Sequence, residues 1–244
     1  MAYIREGAPN YVRRLTAEFT RRGITLPDEL TAALDTLDQL EAARPASIGQ
    51  PQLIDAYLRG DTPAEIDTLA VAAETCQRRT DAHREACIKH ALRTENLFTA
   101  HGDELTRALA ALAAPLIANL ERAAELEQDL AALVRAGRHD DAAIIGQLDL
   151  DAHELQALYN VRSSVTQGAV WKVDWTDCSV WRDPHKLDTV DYRGTATDRY
   201  LTGIRAGAGL WFPTVDEALT QARPIAAEIR EGTRTAGRTG AGRV

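Results

Sequence analysis

The sequence has little of what most globular cores are built from. Its 244 residues include only four Trp, six Tyr and three Phe, with one Met and three Cys. No stretch of 18 consecutive apolar residues occurs, which argues against a helical membrane span. The opening residues Met1-Ala2-Tyr3-Ile4-Arg5-Glu6 lack the apolar run of a secretory signal. Three cysteines, Cys76, Cys87 and Cys178, are too few and odd in number for a disulfide framework, and point to a reducing, cytoplasmic setting. Lysine is nearly absent as well: 3 Lys stand against 25 Arg, a bias of high-GC coding with no mechanism attached.

What is present is alanine, 42 residues of it in a chain that is 45% hydrophobic. A core of small side chains is thin and helical, because small residues let helices approach closely. The net charge of −8 is uneven. Residues 1–60 carry −1, residues 61–168 carry −8, and residues 169–244 carry +1. An acidic middle repels phosphates, which speaks against nucleic acid as its partner and leaves only the Arg-bearing tail for such a contact. All four tryptophans (Trp171, Trp175, Trp181, Trp211) lie in the last 76 residues.

These shifts predict a mainly α protein: N-terminal helices over 1–60, a long helical hairpin or coiled-coil body over 61–167, a small Trp-rich α+β module over 168–231, and a disordered Arg/Gly tail over 232–244. Asn10 and Gly23 bound a first helix, and Pro27 and Pro45 a second. A short helix around 50–59 ends at Gly60. Thr62-Pro63-Ala64-Glu65 has the pattern of a capping box opening a long run, in which Thr62 accepts from the Glu65 amide and Glu65 reaches back. Unbroken to Ala136, that run would be about 110 Å long, so a fold-back at His101-Gly102-Asp103 is expected. Its second arm alternates steps of four and three through Leu105, Leu109, Leu112, Leu116, Asn119, Ala123, Leu126, Leu130 and Leu133, the spacing of a self-association seam, with Pro115 predicted to kink it. A second box at Asp151–Glu154 predicts a helix to about Thr166. Residues 169–182 read as a strand burying Trp171, Val173 and Trp175, with further extended segments at 189–192 and 200–204. Thr214–Glu217 caps a last helix, which Pro224 kinks or divides before Gly232.

Candidate chemistry is sparse. Cys76, His83, Cys87 and His90 share one helix face, but Cys76 and His90 are about 21 Å apart along the axis. At most one i,i+4 pair, His83 and Cys87, can hold a single metal ion, and its other ligands must come from elsewhere. The plainer expectation is a packing stripe. Cys178, Asp183 and His185, with Asp188 nearby, are the residue types of a thiolate nucleophile, although no glycine elbow accompanies them and a surface loop fits as well. Arg138–Asp141 reads as a polar connector. Arg205–Leu210 is glycine-rich without the spacing of a phosphate loop. Arg230, Arg234 and Arg238 form a basic stripe if the tail orders on an acidic partner.

No motif assigns a cofactor or a reaction. The expectation is a non-enzymatic helical interaction or assembly protein, of the composition common in phage- or prophage-encoded virion and structural factors. It would form a homo-oligomer through the 105–133 helix and contact protein partners through its Trp-bearing module and its Arg tail. The alternatives are an enzyme with its site where the helical body meets the C-terminal module, and a helical metal-binding protein.

Overall fold

A computed structural model describes residues 7–46, 50–126, 129–188, 190–191 and 193–240, with side chains through Glu231. Among them are nine α-helices and one two-stranded sheet, so the protein is mainly α with a small α+β region. The chain divides into two compact units, 1–100 and 101–244.

The first unit holds α1 (Ala8–Arg21), α2 (Asp28–Ala42), α3 (Gln50–Arg59) and α4 (Pro63–Ala100). α1 starts a turn earlier than Asn10 predicts, after Gly7, because Pro9 sits in the first turn where its missing N–H is not needed. It ends in a Schellman motif, with Ile24 N donating to Phe19 O, Gly23 N to Thr20 O, and Gly23 at φ 70°. Glu65 Oε2 accepts from both the amide and the hydroxyl of Thr62 at the start of α4. That is one side of the expected box, with the Thr62 hydroxyl donating to Glu65 rather than accepting from its amide. The core is Val12, Leu15 and Phe19 from α1, Leu30 and Leu37 from α2, and Ala91 and Phe98 from α4. Phe19 and Phe98 stack at 6.1 Å. Each such ring contributes about 2–3 kcal/mol by burial. α4 spends only its second half on this core: from Pro63 to Ala86 the one buried residue is Ile66.

The second unit begins with α5 (Gly102–Glu125), α6 (Leu130–Arg135) and α7 (His139–Val165). The expected break near Gly102 is present, but Gly102 is the first residue of α5 rather than a turn glycine. A Cβ there would meet Val165 O at 2.9 Å, so its lack of side chain lets α5 approach the end of α7. The two arms expected to pair fall in different units, and each is packed within its own: α4 by α1 and α2, α5 by α7 and α8. α5 runs through Pro115 as one helix. α7 is also continuous, so the 138–141 connector is its N-cap and first turn, and the second capping box is not used. Asp151 is instead an interior, buried helix residue whose Oδ2 accepts from Asn119 Nδ2 at 2.8 Å, which holds it away from backbone amides.

The C-terminal part departs further from expectation. The 169–182 strand is a hairpin of two short strands, β1 (Lys172–Val173) and β2 (Thr176–Asp177), with Val173 opposite Thr176. Asp174 takes φ 52° at its turn. The turn reverses the alternation, so Trp175 is 91% exposed and Thr176 is buried. A 3₁₀ turn (Pro184–Leu187) follows. The segment expected to be extended at 200–204 lies inside α8 (Ala196–Arg205), because Thr195 and Asp198 form a reciprocal capping box. Thr189 and Tyr192 lie outside the described residues, so the 189–192 expectation is largely outside them too. Thr214 and Glu217 cap α9 (Val215–Gly240) as expected, with Glu217 N donating to Thr214 Oγ1. α9 passes Pro224 and Gly232 and is helical through Gly240, where the composition predicts a disordered tail.

Gly203 shows how tightly this part packs. A Cβ on it would come within 2.3 Å of the Trp181 ring. Gly203→Ala is therefore expected to destabilise the second unit by about 2 kcal/mol, by overpacking that outweighs the gain in helix propensity. Thermal unfolding followed by near-ultraviolet circular dichroism checks this. An unchanged midpoint would mean that α8 does not press on Trp181.

Candidate functional site

On α4, His83 and His90 face α2. Each ring Nε2 lies against a backbone carbonyl, Leu40 O at 2.5 Å and Ala33 O at 2.7 Å. A carbonyl only accepts, so each Nε2 carries a hydrogen and donates. The Cys87 sulfur lies 3.9–4.0 Å from the His83 ring nitrogens, and burial pushes its thiol pKa up, with the Glu41 charge adding to that. Cys76 is half-buried. The residues named for metal binding are thus engaged in packing α4 on α2, and no group of three His, Cys, Asp or Glu among the described residues is placed to hold an ion. An open cleft of about 480 Å³ lined by Glu41, Arg44, Thr80, His83, Arg84 and Cys87 marks where α2 ends and α4 continues.

In the C-terminal part the three residues named for nucleophilic chemistry each have other partners. Cys178 is fully buried with Ala218 and Ala222 and its Sγ donates to Arg182 O at 3.7 Å. Burial pushes its thiol up to about 11, with Asp177 and Asp183 adding to the shift, so at neutral pH it is a protonated core residue. Asp183 lies 3.7 Å from Lys186 Nζ. His185 alone lines a cavity, and it has different partners. Its Nε2 is 3.1 Å from Thr176 Oγ1 and its Nδ1 is 3.1 Å from Asp188 Oδ2. Thr176 escaped the sequence reading because strand alternation places it on the polar face, and only the turn at Asp174-Trp175 brings it inside. The cavity, about 730 Å³, is lined by Asp174, Trp175, Thr176, His185, Ala226, Ile229 and Arg230.

The most unusual group was also not singled out. Arg162, 3% exposed in the last turns of α7, has its guanidinium carbon 4.4–4.8 Å from the ring centres of Trp171, Phe212 and Tyr159. Its Nη1 donates to Pro213 O at 3.2 Å, and Nε has no hydrogen-bond partner among the described residues. Desolvation lowers its pKa to about 10, so it keeps its charge at neutral pH. A lone Arg in a helical sequence carries no signal of such a cage, because two of the three rings, Trp171 and Phe212, come from outside α7.

The expected seam is mostly consumed inside the unit. Leu105, Leu109, Ala123, Leu126 and Leu133 are buried, and Asn119 is paired with Asp151. Leu116 is half-buried, while Leu112 is 37% and Leu130 45% exposed. Part of the seam that periodicity assigned to a second copy is thus buried within the unit, and Leu112 and Leu130 are left exposed. Arg230 Nε lies 3.2 Å from Asp174 Oδ2 and also donates to Ala226 O. The side chains of Arg234 and Arg238 lie outside the described residues. Arg205–Leu210 is the exit of α8: Ala208 N donates to Gly203 O, Gly207 takes φ 76°, and the carbonyls of Ala208 and Gly209 accept from Asp183 and Arg182. It leads Trp211 back beside Val180, as the loop reading expects. No helix among the described residues is long and apolar enough to cross a membrane.

Comparison of the chain with protein families, curated proteins and solved structures finds no match. The three thiols give a direct check on the burial described above. At pH 8 in the native state Cys76 is expected to react with a colorimetric disulfide reagent at least about tenfold faster than Cys87 and Cys178, which become reactive on unfolding. Equal rates for all three in the native protein would contradict the placement of Cys87 and Cys178.

Proposed function

We propose that this chain is a helical interaction and assembly protein that associates with a second copy of itself through α3 and the first half of α4. The observation that carries the reading is the exposure of that arm. Between Pro63 and Ala86, about 36 Å of helix, the interior of the unit receives only Ile66. The adjoining α3 presents Ile54, Tyr57 and Leu58 on one face at 50%, 67% and 79% exposure, and α4 adds Val71 at 65%. On a 244-residue chain with 13 aromatics, such an accumulation of large apolar side chains on one helical pair is a costly use of scarce material.

A two-fold contact uses each of these side chains twice, once from each copy. At about 1.5–3 kcal/mol for each side chain buried, eight of them supply roughly 12–24 kcal/mol, which offsets an association cost of about 4–15 kcal/mol. The proposed surface is therefore the arm of the first unit rather than residues 105–133, where Leu105, Leu109, Leu120, Leu126 and Leu133 are already buried.

Light scattering on the full chain tests this. The expected result is a dimer or larger species at about 100 µM that becomes monomeric, with unchanged helical circular dichroism, in Tyr57→Asp/Leu58→Asp. Leu112→Asp is expected to leave the mass unaltered. A monomeric wild-type chain overturns the proposal, and dissociation by Leu112→Asp alone would return the interface to the 105–133 helix.

A further inference from the structure

Thr176, His185 and Asp188 form a hydroxyl–imidazole–carboxylate relay at a cavity, and the chemistry of the three groups fixes how the protons are placed. Asp188 is an acceptor only when ionised, so the hydrogen in the 3.1 Å contact with its Oδ2 sits on His185 Nδ1. In a neutral imidazole that leaves Nε2 bare, and the 3.1 Å contact there is a hydrogen bond donated by the Thr176 hydroxyl. This is the arrangement in which an imidazole can draw a proton from a hydroxyl that attacks a carbonyl. Thr176 is held in place by β2, opposite Val173, and is itself 1% exposed, with its side chain in the cavity wall. The rest of that wall is three apolar residues and an ion pair, Asp174 with Arg230. Trp175, Ala226 and Ile229 supply surface for a hydrocarbon or aromatic group, and Arg230 supplies a cation whose Nε lies between Ala226 O and Asp174.

We propose that this cavity is an acyl-transfer site at which Thr176 takes the acyl group of a small ester with an apolar acyl chain. The lone pair of Thr176 Oγ1 forms a bond to the ester carbonyl carbon while its proton passes to His185 Nε2. The bond from that carbon to the alcohol oxygen then breaks, and the departing oxygen takes the proton back from Nε2. Water, deprotonated in the same way by His185, hydrolyses the acyl-threonine to free acid and restores the hydroxyl. Asp188 is a positioning residue that holds the ring in the required tautomer. Arg230 is the cation of the cavity wall, and it shares its charge with Asp174 Oδ2 at 3.2 Å. The site lies in the second unit, so it is independent of the association proposed through α3 and α4.

The test uses the full chain with p-nitrophenyl acetate and p-nitrophenyl butyrate. The expected results are release of p-nitrophenolate above the buffer rate and an acyl adduct that maps to Thr176 by mass spectrometry of the acid-quenched protein. His185→Ala is expected to lower the rate at least about 100-fold with circular dichroism unchanged. Thr176→Ser, which keeps the hydroxyl, is expected to retain activity, and Asp188→Asn to lose it with recovery in Asp188→Glu. Two outcomes overturn the proposal: release no faster than buffer, or an adduct that maps only to a lysine, to the N-terminus or to Cys76. Retained activity in His185→Ala overturns it as well.

Discussion

A guanidinium enclosed by three aromatic rings organises the second unit. Arg162 stands near the end of α7, Trp171 leads into the β-hairpin, and Phe212 leads into α9, so one cation gathers three separate stretches of chain. Taking a charge out of water is costly, and among the described residues no carboxylate pairs directly with it, although the more distant Asp177 favours its charged form. The cost is met by the ring faces, by the bond from Nη1 to Pro213 O, and by the more distant charges of the surrounding region. Tyr159 joins the cage from α7 itself and sends its hydroxyl to Trp211 O at 2.6 Å, clamping the same loop from a second direction. Because aromatics are so few in this chain, collecting Tyr159, Trp171, Tyr200 and Phe212 near one point leaves little to hold the module if the cation goes.

Elsewhere the packing relies on small residues. Gly102 admits the carbonyl of Val165, Gly203 admits the ring of Trp181, and Ala218 and Ala222 close over Cys178. Alanine and glycine stabilise such contacts by permitting close approach rather than by the area they bury, so each site tolerates enlargement poorly while tolerating little else to be lost. The two units differ in this respect. The first is built on the Phe19–Phe98 stack and a set of leucines, with histidines donating to helix carbonyls across the α2–α4 contact.

The helices were readable where a local signal decided them: Gly23 and Gly60 as exits, Thr62 and Thr214 as starts, and the Leu face of α5. What that face packs against was not readable, because a four-three spacing is the same whether the partner is a second copy or another helix of the chain. The Asp151 box failed for a related reason. A side chain that is free to cap in the sequence is held by Asn119 once the two helices meet. The Thr195–Asp198 box passed unnoticed because its third-position acid is Asp rather than Glu, and α8 was read as extended. Of the candidate site, only His185 and the acid Asp188 could be pointed to from composition. Thr176 and the Arg162 cage depend on a two-residue turn and on long-range closure, for which periodicity has no information.

α4 is at once the central strut of the first unit's core and the bearer of its exposed arm, with no break between the two. Helix formation is cooperative along such a continuous segment. Whatever covers the arm therefore adds to the stability of a core it does not touch, and the free energy of covering appears as a dependence of that unit's folding on the concentration of its cover. In the uncovered state the helix is expected to fray from Pro63 inward toward the point where α2 takes hold.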